Sequence, residues 1–240
     1  MTRLTTCVDP EAVAERAAAD IARYCRRVSA ERELAHVALS GGSTPKRTYE
    51  LLGARPAELA GVELWFADER CVPPDDEESN YRLVSESLLV PARVSPERVH
   101  RMQGELGPDQ GARGYEQALR EGIRPWEKEL PVLDLIVLGV GPDGHVASLF
   151  PGSPTLDAGD AAVCLGVGDS PKPPPERITL SLAVLRAARR CLLLATGTSK
   201  ADAIAAMLGE PSRHVPASLL RRERLTVIVD DAAAPPGRRP

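Results

Sequence analysis

The chain has 240 residues, of which 43% are hydrophobic, 27% charged and only 3% aromatic, with a formal net charge of -4. That length can bury a sizeable core, while the charge excludes a general nucleic-acid-binding surface and the few aromatics exclude stacking platforms for bases. No apolar run reaches the roughly 18 residues of a membrane span, and Met1-Thr-Arg-Leu-Thr-Thr6 lacks the apolar region of a signal peptide. A cytoplasmic protein with neither nucleic-acid nor membrane partners is expected. Cys7, Cys25, Cys71, Cys164 and Cys191 are scattered and odd in number, and read as reduced thiols.

In chain order, Asp9-Pro10 predicts the start of a helix to about Ser29, with Val13, Ala17, Ile21 and Tyr24 or Cys25 on one face. Ala35 to Leu39 reads as a buried strand. Ser40-Gly41-Gly42-Ser43-Thr44-Pro45 follows, with Thr44 as N-cap and Pro45 at the first position of a helix to about Leu52. Val62 to Ala67 is the next strand, ending at Asp68-Glu69-Arg70. Pro73 to Ser79 is a loop, and Ser79 or Asn80 caps a helix through Leu88. The Gly- and Pro-rich stretch from about 104 to 111 is a candidate soft boundary before a helix from Gly114 to Glu121. Leu133 to Leu138 is a strand apolar enough to be buried on both faces. Ala162 to Leu165 is a weaker strand, and Ser170-Pro-Lys-Pro-Pro-Pro175 is a loop. Arg177 to Leu180 is extended, Cys191 to Ala195 is a strand, Thr198 caps a helix from Ser199 to Leu208, and Leu225 to Val229 is the last strand. This alternation predicts an α/β fold: a Rossmann-like, doubly wound, mainly parallel sheet with helices on both faces. Residues 1–231 are expected to form a single catalytic domain and 232–240 a disordered tail.

In such a sheet, ligands sit at the carboxyl ends of the strands. Leu133 to Leu138 leads there into Gly139-Val-Gly-Pro-Asp-Gly-His145. Gly139, Gly141 and Gly144 match the dinucleotide-binding glycine pattern, but that fingerprint needs a helix starting at the third glycine. Phe150-Pro-Gly-Ser-Pro154 leaves no room for one. Asp143 and His145, two apart in an extended turn, can share a side. A neutral imidazole is a suitable general base and a carboxylate can orient it. His36, His100 and His214 have no such company and read as surface or packing residues.

The loop Ser40 to Pro45 is equally an anion site, with Gly41, Gly42 and Ser43 opening a helix, or a plain turn that needs glycine. Asp68, Glu69 and Arg70 are either a solvated salt-bridge cluster or residues that share the crevice with His145, where Arg70 presents a fork of donors. Arg177 and Lys200 are surface charges, or they complete a phosphate cradle with that loop. No second His or Cys stands at ligand spacing from His145, so no metal is expected.

Five segments in order resemble the 6-phosphogluconolactonase family: Leu39-Ser-Gly-Gly-Ser-Thr-Pro45, Trp65-Phe-Ala-Asp-Glu-Arg70, Gly139-Val-Gly-Pro-Asp-Gly-His145 with Ala147-Ser-Leu-Phe-Pro151, Arg177-Ile-Thr-Leu180 and Gly197-Thr-Ser-Lys200. The resemblance implies the glucosamine-6-phosphate deaminase-like fold and hydrolysis of 6-phospho-D-glucono-1,5-lactone, a phosphorylated sugar lactone, in the oxidative pentose phosphate pathway. It implies no cofactor, and a monomer or weak homo-oligomer is expected. It makes His145 the base that activates water, Asp143 its partner and Arg70 a candidate for stabilising the oxyanion. Gly41, Gly42, Ser43, Asp68, Glu69, Arg177 and Lys200 become substrate-binding candidates.

The competing reading is the related deaminase/isomerase, whose members carry a glutamate five residues after the histidine and an aromatic residue after Asp-Glu. Here those positions are Phe150 and Arg70. Val146 departs from the lactonase pattern, where threonine is usual. A third reading is a non-catalytic sugar-phosphate-sensing module. Some 34 residues precede the first predicted strand and read as one helix, which leaves little room for a DNA-binding motif.

Overall fold

A computed structural model describes residues 2–124, 126–127 and 129–235. The strands in chain order are β1 (Arg3–Cys7), β2 (Ala35–Leu39), β3 (Val62–Phe66), β4 (Asp68–Arg70), β5 (Trp126–Glu127), β6 (Leu130–Pro131), β7 (Leu135–Gly139), β8 (Cys164–Val167), β9 (Arg177–Leu180), β10 (Cys191–Ala195) and β11 (Leu225–Asp230). The helices are α1 (Pro10–Arg32), α2 (Ser43–Gly53), α3 (Asn80–Val84), α4 (Pro108–Gly122), α5 (Leu182–Ala187) and α6 (Ala201–Leu208).

Six strands form a parallel sheet in the order β1-β11-β10-β7-β2-β3. Its central strands are apolar along their length, and Leu135 to Leu138 of β7 and all of β10 and β11 are buried. A strand hidden at every position is covered on both faces, as its unalternating sequence predicts. Asp9 caps α1 by accepting the Ala12 N–H at 2.8 Å, and the helix buries Val13, Ala17, Ile21 and Cys25 on one face.

The chain leaves β2 toward β3 on one side and leaves β7 toward β10 on the other. The order therefore reverses between β2 and β7. The loops beyond those two strands flank a crevice at the carboxyl edge, the place where doubly wound sheets bind ligands.

Several expectations change. Strand β1, missed in the sequence, precedes α1 at the sheet edge, so the first strand is not the one at residue 35. Helix α2 starts at Ser43 rather than beyond Thr44, and Gly42 at φ 106° is its N-cap. Thr44 instead hydrogen-bonds Thr196 at 3.1 Å, tying the start of α2 to the end of β10. Thr198 likewise does not cap α6; it lies in a 3-10 turn that Gly197 begins at φ 87°.

Asp68-Glu69-Arg70 does not simply end β3. Ala67 donates to Leu39 O at 2.9 Å in the parallel sheet and accepts from Leu180 N at 2.8 Å. Past that point β4 joins an antiparallel three-stranded sheet, β4-β9-β8.

The stretch 104–111 is no loose boundary, because its glycines admit close packing. A Cβ on Gly104 would lie 2.3 Å from Arg70 O, and one on Gly111 would lie 2.3 Å from Ile178 Cδ1. The expected tail does not begin at residue 232, since Ala233 and Ala234 are fully buried and hydrogen-bond back to Asp230. Residues 236–240 lie outside the described residues.

Candidate active site

The turn after β7 is held by its own backbone. Gly144 N–H donates to Gly141 O and Gly141 N–H to His145 O, both at 2.9 Å, with Gly144 at φ 82°. No helix starts there, which removes the dinucleotide fingerprint. Inside this ring Asp143 Oδ1 stands 2.6 Å from His145 Nδ1. Gly141 makes room for both, since a Cβ there would fall 2.0 Å from His145 Nδ1 and 2.2 Å from Asp143 Oδ1. With Nδ1–H donated to the carboxylate, a neutral ring keeps its lone pair on Nε2. The Phe150 ring packs on the imidazole at 4.6 Å between centroids. Val146 is fully buried.

His145 lines a crevice of about 190 Å³ together with Gly41, Gly42, Ser43, Asp68 and Arg70, and with Arg177, Lys200, Asn80 and Lys172 on the remaining wall. Asp143 is not on the wall; it stands behind the imidazole, on the Nδ1 side. Burial raises its pKa, but the hydrogen bond and charge of His145, with Lys172, outweigh burial and hold the carboxyl well below the usual range.

Asp68 is buried in the crevice wall. Its Oδ2 accepts from Ser148 Oγ at 2.8 Å, and Asn80 Nδ2 donates to its backbone O at 2.9 Å. Glu69 is not brought to the crevice, which corrects that part of the sequence reading. Its Oε1 accepts the N–H groups of Arg70 (2.8 Å) and Asn80 (2.7 Å), and its Oε2 accepts the Tyr81 N–H (2.7 Å) and the Ser79 hydroxyl (3.2 Å). The carboxylate thus caps α3 from outside its own chain segment. Burial pushes its pKa up although those N–H donors pull it down.

Arg70 and Arg177 are directly opposed across β4 and β9. Like charges facing one another across strands oppose folding, so this pairing favours an anion nearby. Arg70 is committed on one side to Glu78. Arg177, almost fully buried, donates to the carbonyls of Lys172, Pro173 and Pro174 at 3.1–3.2 Å. Burial and then the charge of Arg70 lower its pKa. Lys200, on the Gly197 turn beyond β10, is lowered first by burial and then by the charge of Lys172.

Sequence reasoning missed two wall residues. Asn80 looked like a helix cap, and Lys172 sat in a proline loop without periodicity. Its ammonium lies 3.2 Å from Asp143 Oδ1 and 3.3 Å from His145 Nδ1. Among the described residues, no three His, Cys, Asp or Glu side chains gather in a way that holds a metal ion. None of the described helices is long and apolar enough to cross a membrane.

Residues 8–229 match the family described as glucosamine-6-phosphate isomerases/6-phosphogluconolactonase. The 6-phosphogluconolactonase of Streptomyces coelicolor is 39% identical over 238 residues, covering 94% of this chain and 91% of that protein. The solved 6-phosphogluconolactonase from Trypanosoma cruzi superposes with a TM-score of 0.86 at 26% identity, covering 97% of this chain and 96% of that one. A monomeric glucosamine-6-phosphate deaminase superposes at 0.79 with 23% identity, over 97% of this chain and 98% of that one, a likeness of fold alone.

Proposed function

Because the chain belongs to the glucosamine-6-phosphate isomerase/6-phosphogluconolactonase family, we propose that it opens its lactone by general-base attack of water, with His145 as the base. The reaction is hydrolysis of 6-phospho-D-glucono-1,5-lactone to 6-phosphogluconate, a step of the oxidative pentose phosphate pathway. The observation that carries the mechanism is the imidazole on the crevice wall, backed at Nδ1 by Asp143 at 2.6 Å.

Nε2 takes a proton from water as the oxygen attacks C1. The carbonyl becomes a tetrahedral oxyanion, which the cationic wall of Arg70 and its neighbours favours. On collapse the ring oxygen leaves and takes the proton back from His145. Asp143 orients the ring and stabilises the imidazolium. The phosphate belongs with Lys200, Arg177 and the N-terminus of α2 at Gly41, Gly42 and Ser43, where no side chain caps the first N–H groups. A strained ester of this kind asks little of the protein. One placed base contributes about 10²–10⁴-fold, and a held phosphate contributes orientation.

The deaminase reading lacks its second proton carrier, because Phe150 presents a buried ring to His145 where that chemistry wants a carboxylate. The test is a rate assay of freshly made lactone with glucosamine-6-phosphate as control. Acid release from the lactone is expected, and ammonia release from the amino sugar would reverse the reading. His145→Ala is expected to lower kcat by about 10²–10⁴-fold while still binding 6-phosphogluconate; near-normal turnover would remove His145 from the mechanism.

A further inference from the structure

The Asp143–His145 pair carries an internal difficulty. The base needs a neutral ring to take a proton from water, yet a carboxylate, which attracts positive charge, stands 2.6 Å from its Nδ1. The loop between β8 and β9 brings a third group to this pair.

Arg177 grips three successive carbonyls, those of Lys172, Pro173 and Pro174. On the other side Ser170 Oγ donates to Lys172 O at 2.9 Å and accepts the Lys172 N–H at 3.2 Å. The backbone at Lys172 is therefore fastened from both sides. Its ammonium reaches the same Asp143 oxygen that His145 uses, at 3.2 Å, and stands 3.3 Å from the ring nitrogen. Since Nδ1–H already points at Asp143, the contact between ammonium and ring is one of charge rather than a hydrogen bond.

We propose that Lys172 is a positioning residue for the hydrolysis: held beside the pair by the Arg177-clamped loop, it balances the Asp143 charge and so keeps His145 free to accept a proton from water. The inference rests on His145 being the base. It also gives Arg177 a second task, because the guanidinium that faces Arg70 shapes the loop that delivers Lys172.

The other charged groups around the imidazole enter from separate elements. Asp68 and Arg70 come from β4, Arg177 from β9 and Lys200 from the turn after β10, all on the crevice wall. The segment closing over Gly144 presents the apolar Val215. Phe150 covers the imidazole, and the Arg177 guanidinium lies over the Phe150 ring, 5.6 Å from its centroid. Lys172 and Asp143 are the charges in contact with Nδ1.

The test compares pH profiles of Lys172→Met, Lys172→Arg and the double variant Asp143→Asn/Lys172→Met, measured as initial rates corrected for spontaneous lactone opening. Removing a charge this close moves a neighbour's titration by about one unit or more. The acid limb of kcat in Lys172→Met is therefore expected to rise by about that much. Below the old limb this is a loss of about tenfold in kcat, recovered as pH rises, with KM changed far less. Lys172→Arg should keep the original limb, and the double variant should bring the limb back toward it, since both charges are gone.

An unmoved limb in Lys172→Met would overturn the proposal, and a raised KM with that unmoved limb would make Lys172 a plain substrate ligand. Circular dichroism and 6-phosphogluconate binding check that the variants fold, and Lys172→Gln replaces Lys172→Met if that one does not. His145→Ala is run beside them. If it keeps turnover, the base reading fails and this inference with it. If it is inactive while the limb of Lys172→Met stays put, only the inference on Lys172 falls.

Discussion

At the scale of single residues, the site depends on one atom that is missing. What Gly141 supplies is space, with both Asp143 and His145 packed where a Cβ would stand. Gly141→Ala is expected to push the imidazole off its carboxylate and lower kcat by about 10²-fold, the loss that a misplacement of about 1 Å brings, with thermal unfolding little changed. Activity near the native level would mean that the turn absorbs the methyl. The pair itself was legible in the sequence, because Asp143 and His145 flank a glycine directly after an apolar strand. Lys172 was not, because a lysine among prolines carries no period, and its role depends on carbonyls that Arg177 collects from across the loop. Glu69 was misread for a related reason: adjacency to Asp68 suggested a shared crevice, but alternation along β4 turns the two side chains apart.

At the scale of elements, the junction between β3 and β4 explains how residues from two sheets meet. Tyr115 of α4 bridges it: Phe66 N–H donates to the phenol oxygen at 2.6 Å, and the phenol O–H donates to Phe66 O at 3.0 Å. The last backbone pair of β3 is thus satisfied by a side chain, and the chain can leave the parallel sheet at Ala67. Tyr115→Phe would leave two buried backbone groups without partners, at a cost of about 1–3 kcal/mol each when unsatisfied. A lower denaturation midpoint is expected with the helix content unchanged; a variant as stable as the parent would show that the junction does not need the phenol. The parallel strands were readable from their apolar runs. Of the antiparallel trio, β8 and β9 were readable as short extended segments, but β4 and the pairing of the three were not, because they are short and join only across long stretches of sequence.

At the scale of the whole molecule, a chain of net charge -4 concentrates Arg70, Lys172, Arg177 and Lys200 around one crevice that Asp68 shares. Composition alone could state only that an anionic ligand would need such a local excess. The same crowding makes acid stability sensitive to Asp143. Its folded-state pKa is depressed, so the unfolded chain binds the extra proton in acid. The stabilisation is present above the ordinary value of 3.8 and is lost as pH falls through the folded value. Denaturation midpoints of the parent should therefore drop more steeply below about pH 4 than those of Asp143→Asn; parallel slopes would show that the pair stabilises nothing.

The self-closing turn after β7 has a further consequence. Because Gly141, Gly144 and His145 are joined by backbone hydrogen bonds within the turn, the entropy of aligning base and carboxylate is spent when the protein folds and is not spent again at each encounter with substrate. The activation entropy of the hydrolysis should then reflect the capture of water and sugar, with little contribution from rearranging the catalyst.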